Sequence, residues 1–189
     1  MAGRRDEILS AARACFAAHG YAATTIEQIA AESGASNGSI YHHFGSKDGI
    51  LAALYTDALA RYQEEALVVL RAASSAEEGI RGTVVHHLAW VEAHPDETRT
   101  LFEHRQTLER TARADAIQEQ NRPVMEEIRA WIVRFVEAGE IRDLGPATAA
   151  VWLGPAQAVA RDWIAGRMRG APSELADALA DAAWRSFAA

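Results

Sequence analysis

The segment TTIEQIAAESGASNGSIYHHFGSK, residues 24–47, decides the local fold of this chain. Thr25 and Gln28 stand three residues apart, which is the spacing of a capping box at the start of a helix. Ile26 and Ile29 then fall on one face at helical spacing and predict a side that packs into a core. The segment therefore opens with a short amphipathic helix.

A second short helix follows a tight turn in the same segment. Gly34 lies just past the first helix, where a left-handed backbone favours glycine. Ser36 or Asn37 can cap the next helix. Ile40 and Phe44, four residues apart, place one face of that helix in the core. Two short helices around a tight turn indicate a helix-turn-helix.

The opposite face of the second helix carries short or flat side chains that can form hydrogen bonds. Its residues are Asn37, Gly38, Ser39, Tyr41, His42 and His43. No acidic residue occurs in positions 33–47, so nothing in that segment repels phosphate. Small residues allow close approach to a major groove, and amides and hydroxyls can read base edges. The pattern favours double-stranded DNA as a partner over the alternative, an ordinary helical corner with a polar face.

Lys47 is the single lysine of the chain, beside eighteen arginines. It follows Ser46, which can cap a further helix. An ammonium group beside a helix N-terminus suits a phosphate oxygen. The alternative is a solvated side chain with no partner.

Residues 4–55 resemble the DNA-binding head of the TetR (tetracycline-repressor-like) family. The resemblance rests on the motifs G-Y-x-x-T-T at 20–25, I-A-x-x-x-G at 29–34 and S-I-Y-H-H-F-x-S-K at 39–47. It implies phosphate contacts from Thr24, Thr25, Tyr41, His43 and Lys47. It also implies that Ser36, Asn37, Gly38, Ser39 and His42 face base edges. Gly38 departs from the family in having no side chain at a base-facing position, so readout there is expected to be weaker or to go through water.

Composition and periodicity predict an all-α protein of about nine helices. Of its 189 residues, 49% are hydrophobic, which is enough for a substantial core, and runs that favour strands are absent. We expect a helix-turn-helix domain at 1–50 and a helical effector-binding and dimerisation domain at 51–189, linked by a helix at about 46–72. The net charge is −7, but residues 1–50 hold four basic and five acidic residues, so the head is nearly neutral.

The other helices follow from apolar stripes and helix-breaking residues. The predicted segments are 4–19, 75–93, 95–104, a helix with Pro123 in its first turn that ends near 139, a helix after Gly145-Pro146 that runs to about 168, and 173–187. Residues 105–120 are polar, and either a continued helix or a mobile loop fits them.

A second stripe on the helix at 75–93 combines aromatic and polar side chains. It consists of Thr83, His86 or His87, Trp90 and His94, and Phe102, His104, Trp131 and Phe135 could join it from neighbouring helices. Aromatics with a few convergent polar groups are what a small-molecule pocket needs. Plain core packing is the alternative. We expect no metal site, because adjacent histidines point to different faces.

The last two predicted helices are rich in large apolar side chains. Trp152, Val159, Trp163, Leu179 and Trp184 would suit a homodimer interface made as a four-helix bundle, and the family resemblance implies the same. The alternative is that these side chains complete the core of one subunit.

No catalytic motif occurs, so we expect a protein that is not an enzyme and needs no cofactor. The single cysteine, Cys15, permits no intrachain disulfide, and no apolar run resembles a signal peptide or membrane span, so we expect a cytoplasmic location. The resemblance implies a repressor that binds a pseudo-palindromic operator as a homodimer and is released by a small-molecule effector. The alternatives are an architectural or cell-cycle DNA-binding factor without an effector, and an all-helical enzyme or carrier with a vestigial head.

Overall fold

The computed structural model describes residues 3–109 and 113–189. In these residues the predicted all-α class is confirmed, with ten α-helices, two 3₁₀ turns and no strand. The α-helices are α1 Arg4–His19, α2 Ile26–Ser33, α3 Asn37–Phe44, α4 Lys47–Ala72, α5 Ala76–Ala93, α6 Pro95–Glu109, α7 Ala114–Glu137, α8 Thr148–Trp152, α9 Gly154–Ile164 and α10 Ala176–Phe187. The 3₁₀ turns are Gly145–Ala147 and Pro172–Leu175.

The chain divides into two compact units. The first comprises the described residues of Met1–Leu59 and Arg99–Ala114, and the second comprises Ala60–Thr98 and Asp115–Ala189. Helices α4 and α6 each contribute residues to both units. These limits differ from the domains expected at 1–50 and 51–189, and that division stays a prediction.

The core of the first unit joins α1 to the helix-turn-helix. Ile8 of α1, Ile29 of α2, Ile40 of α3 and Ile50 of α4 are all fully buried. Helices α2 and α3 have eight residues each, too few for a stable helix in water, so tertiary packing must hold them. The apolar faces predicted for both short helices are confirmed.

The core of the second unit is built mainly on α5, α7 and α10. Ile80 and Leu88 of α5, Phe135 of α7 and Phe187 of α10 are fully buried in one cluster. Gly79 permits a close approach, because a Cβ atom there would overlap the ring of Trp131. The missing side chain at Gly79 therefore makes room for the α7 indole on α5.

Several predicted helix limits are corrected by the structure. Pro123 lies inside α7, nine residues after that helix begins, and not in its first turn. Proline lacks an N–H group, so the carbonyl of Glu119 loses its helical partner, but both positions are exposed to solvent. Helix α6 continues to Glu109, and the part of the 105–120 segment at 110–112 lies outside the described residues.

The single helix predicted between Gly145-Pro146 and residue 168 is divided into two helices, α8 and α9. Leu153 interrupts it, and Pro155 occupies the first turn of α9, where its missing N–H removes no helical bond. Among the residues described, no helix is both long enough and apolar enough to cross a membrane.

Candidate DNA interface and the polar cluster of the body

The start of α2 is fixed by the predicted capping box. Thr25 Oγ1 accepts a hydrogen bond from the backbone N–H of Gln28 at 3.3 Å, and the Thr25 backbone N–H donates to Gln28 Oε1 at 2.8 Å. Gly34 ends the helix with φ +65°, a conformation that favours glycine. These contacts confirm the capping box and the turn, and they fix the direction in which the chain enters α3.

Helix α3 presents the polar face predicted from the sequence. Ser36 is its N-cap, and Ser36 Oγ accepts from the backbone N–H of Ser39 at 3.1 Å. Ile40 and Phe44 are buried, whereas the Tyr41 side chain is 52% exposed. The predicted base-facing residues Asn37, Gly38 and His42 are exposed, as is His43, and Ser39 is half-buried. The face thus offers amide, hydroxyl, phenol and imidazole groups to solvent beside a helix N-terminus.

Thr24 is placed differently from the role that the resemblance implied. Its side chain is only 1% exposed, and its hydroxyl lies 2.8 Å from the carbonyl oxygen of Gly20 and 3.1 Å from that of Cys15. A buried hydroxyl directed at these carbonyls is not available to a phosphate. Thr24 therefore fastens the end of α1 to the turn before α2, while its neighbour Thr25 remains exposed.

Lys47 is also engaged within the protein. Its Nζ atom lies 2.9 Å, 3.3 Å and 2.8 Å from the carbonyl oxygens of Tyr21, Ala22 and Thr24 respectively. It also lies 4.6 Å from the centroid of the Tyr21 ring, within cation–π range. An ammonium group has three N–H donors, and three carbonyls match them here. Lys47 thus ties α4 to the turn that precedes α2, and its phosphate contact stays a prediction with which these bonds compete.

The ring of Tyr21 connects this turn to a later part of the first unit. Its hydroxyl donates to the carboxylate of Asp48, and burial together with that bond raises the pKa of the phenol. The ring packs edge-on against Phe16 of α1 and against His104 of α6. His104 was predicted as a possible pocket residue, and in the structure it lies against Tyr21 in the turn that precedes α2.

The C-terminal end of α3 is held by a residue that the sequence pattern did not single out. Arg113 Nη2 donates to the carbonyl oxygen of Phe44, the last residue of α3, at 3.2 Å. Carbonyls at a helix end have no partner within the helix, and a cation there is favourable. Gly49 keeps this space open, since a Cβ atom there would overlap the same carbonyl. No spacing in the sequence links positions 44 and 113.

Positive charge on the first unit is mostly neutralised by neighbouring acids. Arg4 pairs with Glu7 at 2.8 Å, and Arg5 pairs with Asp57 at 3.2 Å, all on the exposed surface. Exposed pairs of this kind contribute at most about 1 kcal/mol, so a phosphate could compete for either arginine. The polar face of α3 is thus the principal chemical feature of this surface.

The residues predicted to line a pocket do not form one group. Thr83, Trp131 and Phe135 belong to the core of the second unit, where Trp131 and Phe135 pack with ring centroids 4.7 Å apart. Thr83 Oγ1 accepts from the indole N–H of Trp152 at 2.8 Å. Phe102 belongs to the first unit, so its place in a pocket stays a prediction.

His87, Trp90 and His94 lie in a second group, the Tyr62 cluster, which comprises Tyr62, His86, His87, Trp90 and His94. The Tyr62 ring centroid lies 5.9 Å from that of His86, 5.6 Å from that of His87 and 5.1 Å from that of Trp90. Trp90 in turn packs on His94 at 4.8 Å. Tyr62 lies on α4, and no spacing in the sequence indicates that it meets the histidines of α5.

Burial sets the protonation state of this cluster. The His87 side chain is 5% exposed, and desolvation lowers its pKa to about 4. Desolvation also lowers the pKa of His86 and raises that of the Tyr62 phenol. At neutral pH the Tyr62 hydroxyl is therefore protonated and His87 is an uncharged imidazole.

A charged group adjoins the cluster without entering it. The buried carboxylate of Glu97 lies 2.9 Å from the guanidinium of Arg61 and 3.4 Å from Nδ1 of His94. The described residues contain no group of three or more metal-ligating side chains that could hold an ion. Within the cluster, Tyr62, His87 and Trp90 thus present neutral hydrogen-bonding groups on aromatic rings.

The structure corrects one of the five residues predicted for a dimer interface. Trp152 is 6% exposed and packs inside the second unit against Trp131 and Phe187, with its indole N–H bonded to Thr83. It is a core residue because its ring fills the space between α5, α7 and α10. The remaining four, Val159, Trp163, Leu179 and Trp184, are half-buried in this chain, and their part in an interface stays a prediction.

Comparison with known proteins extends over both parts of the chain. Residues 8–54 match the model of the bacterial regulatory proteins of the tetR family, and residues 73–187 match that of the tetracyclin repressor-like C-terminal domain. The second match alone covers more than half of the chain.

Curated relatives include HTH-type transcriptional regulators. The repressor AcnR of Corynebacterium glutamicum is 45% identical over 60 residues, which are 32% of this chain and 32% of that protein. The regulator HbdR of Aromatoleum sp. strain CIB is 34% identical over 130 residues, 67% of this chain and 57% of that one. The matched part spans about a third of the length of AcnR.

Solved structures share the fold along nearly the whole chain. A TetR family transcription regulator from Marinobacter aquaeolei VT8 superposes with a TM-score of 0.80 at 20% identity, over 98% of this chain and 95% of that one. FadR of Bacillus subtilis, in complex with stearoyl-CoA, superposes with a TM-score of 0.77 at 16% identity, over 96% of this chain and 98% of that one. With the two family models matched in succession along the sequence, the chain belongs to the tetR family of bacterial regulatory proteins.

Proposed function

We propose that this protein is a transcriptional repressor that binds a pseudo-palindromic DNA operator as a homodimer and is released by a small molecule. The observation that carries the proposal is the exposed polar face of α3, which has no acidic residue and lies opposite a buried apolar face on a helix of eight residues. Such a helix can enter the major groove while its other side stays packed on α1 and α2.

The residues of this face divide by the groups they offer. Asn37 and His42, both exposed, carry side chains able to bond base edges, and Asn is well suited to adenine. Tyr41, His43 and Thr25 are exposed at positions where they could contact phosphates. Thr24 and Lys47 act through the packing of the turn. Because few cations are free, backbone N–H groups and neutral side chains would make most phosphate contacts.

The family relatives support a homodimer and a small-molecule effector. Relatives named as repressors include AcnR of Corynebacterium glutamicum and KstR2 of Mycolicibacterium smegmatis, and the structure of Bacillus subtilis FadR contains stearoyl-CoA. Two heads one helical turn apart, about 34 Å, would match two half-sites of an operator. An effector that favours a different head spacing need supply only about 1 to 3 kcal/mol of coupling to change affinity 5- to 150-fold.

Selection of binding sequences from random DNA, followed by fluorescence anisotropy, tests the proposal. We expect one two-fold symmetric site, bound by two copies of the chain. Asn37→Ala should cost about 1–3 kcal/mol at one base-pair position of each half-site and leave the other positions unchanged. Gln118→Ala, which removes an exposed side-chain amide from α7, is the matched control and should change nothing.

Two results would contradict parts of the proposal. Many dispersed sites without symmetry would favour an architectural DNA-binding factor that needs no effector. An unchanged preference at every position in Asn37→Ala would remove Asn37 from base readout, while leaving the other residues of α3 to be tested in the same way.

A further inference from the structure

The C-terminal end of α3 is bonded to a residue that lies far away in the sequence. Arg113 Nη2 donates to the carbonyl oxygen of Phe44 at 3.2 Å, and Phe44 is the last residue of α3. Both residues belong to the first compact unit, and the chain enters the second unit at Asp115, two residues after Arg113. The part of the first unit that comes from residues 99–114 therefore reaches the helix that carries the exposed polar face.

Helix α3 needs support at both of its ends because it is short. An eight-residue helix is not stable by itself, and the carbonyl groups of its last turn have no partners within the helix. Its N-terminal end is fixed by the Ser36 cap. At the other end the Phe44 ring is buried, and Arg113 supplies a charged donor to the Phe44 carbonyl. A cation is favourable there with respect to the helix dipole as well.

The start of α4 is shaped to allow this bond. A Cβ atom at Gly49 would overlap the carbonyl oxygen of Phe44 and would come within 2.9 Å of Arg113 Nη2. Any other residue at position 49 would therefore displace the carbonyl or the guanidinium group. The end of α3, the start of α4 and Arg113 thus meet at one carbonyl oxygen, which makes this helix end a fixed point of the first unit.

We propose that Arg113 is a positioning residue for base readout by the C-terminal half of α3. The exposed His42 side chain stands two residues before Phe44, whereas Asn37 begins the helix beside the Ser36 cap. Fraying of the last turn would therefore move His42 and leave Asn37 in place. Arg113 acts through the backbone of Phe44 and needs no contact with DNA.

A direct phosphate contact is the competing role, because Arg113 is an exposed cation. The two roles change different quantities. A phosphate contact strengthens binding to all sequences alike and steepens the dependence of affinity on salt. A positioning residue changes discrimination at particular base pairs and leaves the salt dependence as it is.

The first test needs no DNA and follows backbone amide hydrogen exchange by NMR in the ¹⁵N-labelled chain. Arg113→Met removes the charge and the donors but keeps an unbranched side chain. The Gly45 N–H, which donates to the Tyr41 carbonyl at 2.9 Å, should then exchange about threefold to tenfold faster, because the last turn opens more often. The Ile40 N–H, bonded to the Ser36 carbonyl at 3.1 Å, should exchange as before. Arg113→Lys keeps a charge and a donor, so its Gly45 exchange should stay close to that of the parent chain.

Arg105→Met is the matched control for Arg113→Met. It removes a guanidinium group from the same part of the first unit, but Arg105 pairs with Glu109 on its own helix at 2.8 Å. It should change neither the exchange of Gly45 nor the discrimination between operators.

The second test rests on the proposed function and uses the selected operator with each base pair changed in turn. His42→Ala identifies the positions that this side chain reads. Arg113→Met should reduce discrimination at those positions about threefold to tenfold, while the positions identified by Asn37→Ala keep theirs. The slope of log affinity against log salt should stay the same. In the double variant His42→Ala, Arg113→Met the loss at these positions should be smaller than the sum of the single losses.

Unchanged exchange at Gly45 in Arg113→Met would overturn the inference, as would a His42→Ala variant that alters no position. Equal weakening at every position would also overturn it, and a salt slope lower by about one unit would make Arg113 a phosphate contact instead. If exchange at Gly45 responds but the chain binds no operator, the repressor fails and base readout fails with it. If the chain binds its operator and Arg113→Met keeps full discrimination, only this inference is lost.

Discussion

At the scale of single residues, two side chains of the first unit differ from the roles that their sequence motifs imply. Thr24 and Lys47 match the family pattern letter by letter, and the resemblance assigns both to phosphates. In the structure their polar atoms meet backbone carbonyls instead. The motif predicted that these residues matter to DNA binding, but it did not distinguish contact with DNA from support of the residues that make contact.

The carbonyl contacts of Lys47 lead to a prediction that separates these two roles. Lys47→Ala should lower the free energy of unfolding by about 1–3 kcal/mol, because hydrogen bonds of a charged group to the 21–24 turn are lost. Operator affinity should fall for all sequences alike. The slope of log affinity against log salt should stay the same, since no phosphate contact is removed. Denaturant melts and anisotropy at several salt concentrations measure these quantities.

Arg129→Ala is the charge-matched control for that experiment, because it removes one cation from an exposed position of α7. It should change neither the free energy of unfolding nor the slope. A drop in the slope of about one unit in Lys47→Ala, without loss of stability, would restore the direct phosphate contact.

The buried imidazole of His87 predicts how stability depends on pH. Its folded pKa, about 4, lies below the usual value near 6.5, so the unfolded chain binds more protons between these limits. Its contribution is therefore fully present above about pH 6.5 and is lost as the pH falls through 4, up to about 3 kcal/mol. Denaturant melts from pH 4 to 7 should show this slope, and His87→Gln should flatten it.

An exposed histidine provides the comparison for the pH experiment. His19→Gln, at the exposed end of α1, is the matched replacement against which the slope of His87→Gln is compared. If His87→Gln and the parent chain lost stability in parallel below pH 6.5, other groups would be responsible.

At the scale of helices, the fit of α7 against α5 depends on Gly79. A Cβ atom there would overlap the Trp131 ring, so Gly79→Ala should destabilise the chain by about 1–3 kcal/mol through overpacking, despite the better helix propensity of alanine. Gly154→Ala is the control, since nothing lies within 4 Å of a Cβ atom at that helix N-terminus. Denaturant midpoints of both variants measure the difference.

A smaller partner at position 131 should relieve the overlap. The double variant Gly79→Ala, Trp131→Leu should therefore lose less stability than the sum of the two single variants. Strict additivity would mean that α5 and α7 adjust their separation without strain and that the glycine is not required.

The helices whose limits were predicted best are α1 and α5, which begin and end within a residue of the predicted limits. Apolar stripes and helix-breaking residues agree there, because Gly20 follows α1 and His94-Pro95 follows α5. The start of α7 was predicted wrongly because proline is common in the first turn of a helix. An exposed position inside a helix also tolerates proline, as Pro123 shows. Thr83, His87 and Trp90 of α5 and its C-cap His94 were predicted to line one pocket because their spacing places them on one face of the helix. Spacing does not show which neighbouring helix covers each residue of that face.

At the scale of the whole molecule, the sequence predicted a head followed by a body, whereas the compact units interleave along the chain. Residues 99–114 join the first unit through contacts such as Arg113 with Phe44 and His104 with Tyr21. These pairs are separated by more than 60 residues, and no periodicity within a helix reports on them. The helix-turn-helix was predictable because its sequence signals are local. The contacts that Arg113 and His104 make with it were not predictable, because they join distant parts of the sequence.

The proposed homodimer yields the prediction that concerns the assembly itself. Trp163 of α9 is half-buried in this chain and is the aromatic residue of the predicted interface that lies outside the hydrophobic core cluster. Trp163→Glu should place a charge in the dimer interface, which is costly unless the charge is paired. Sedimentation equilibrium should therefore show monomers, while circular dichroism shows an unchanged helix content.

The same variant should bind a full operator no more tightly than a half-site, because one chain reaches only one groove. Met125→Glu is the comparison, since Met125 is an exposed apolar residue on α7 and undergoes the same change of charge and polarity. It should stay dimeric and keep its preference for the full operator. If Met125→Glu dissociated the protein and Trp163→Glu did not, the chains would meet through α7, and the interface predicted on α9 and α10 would be wrong.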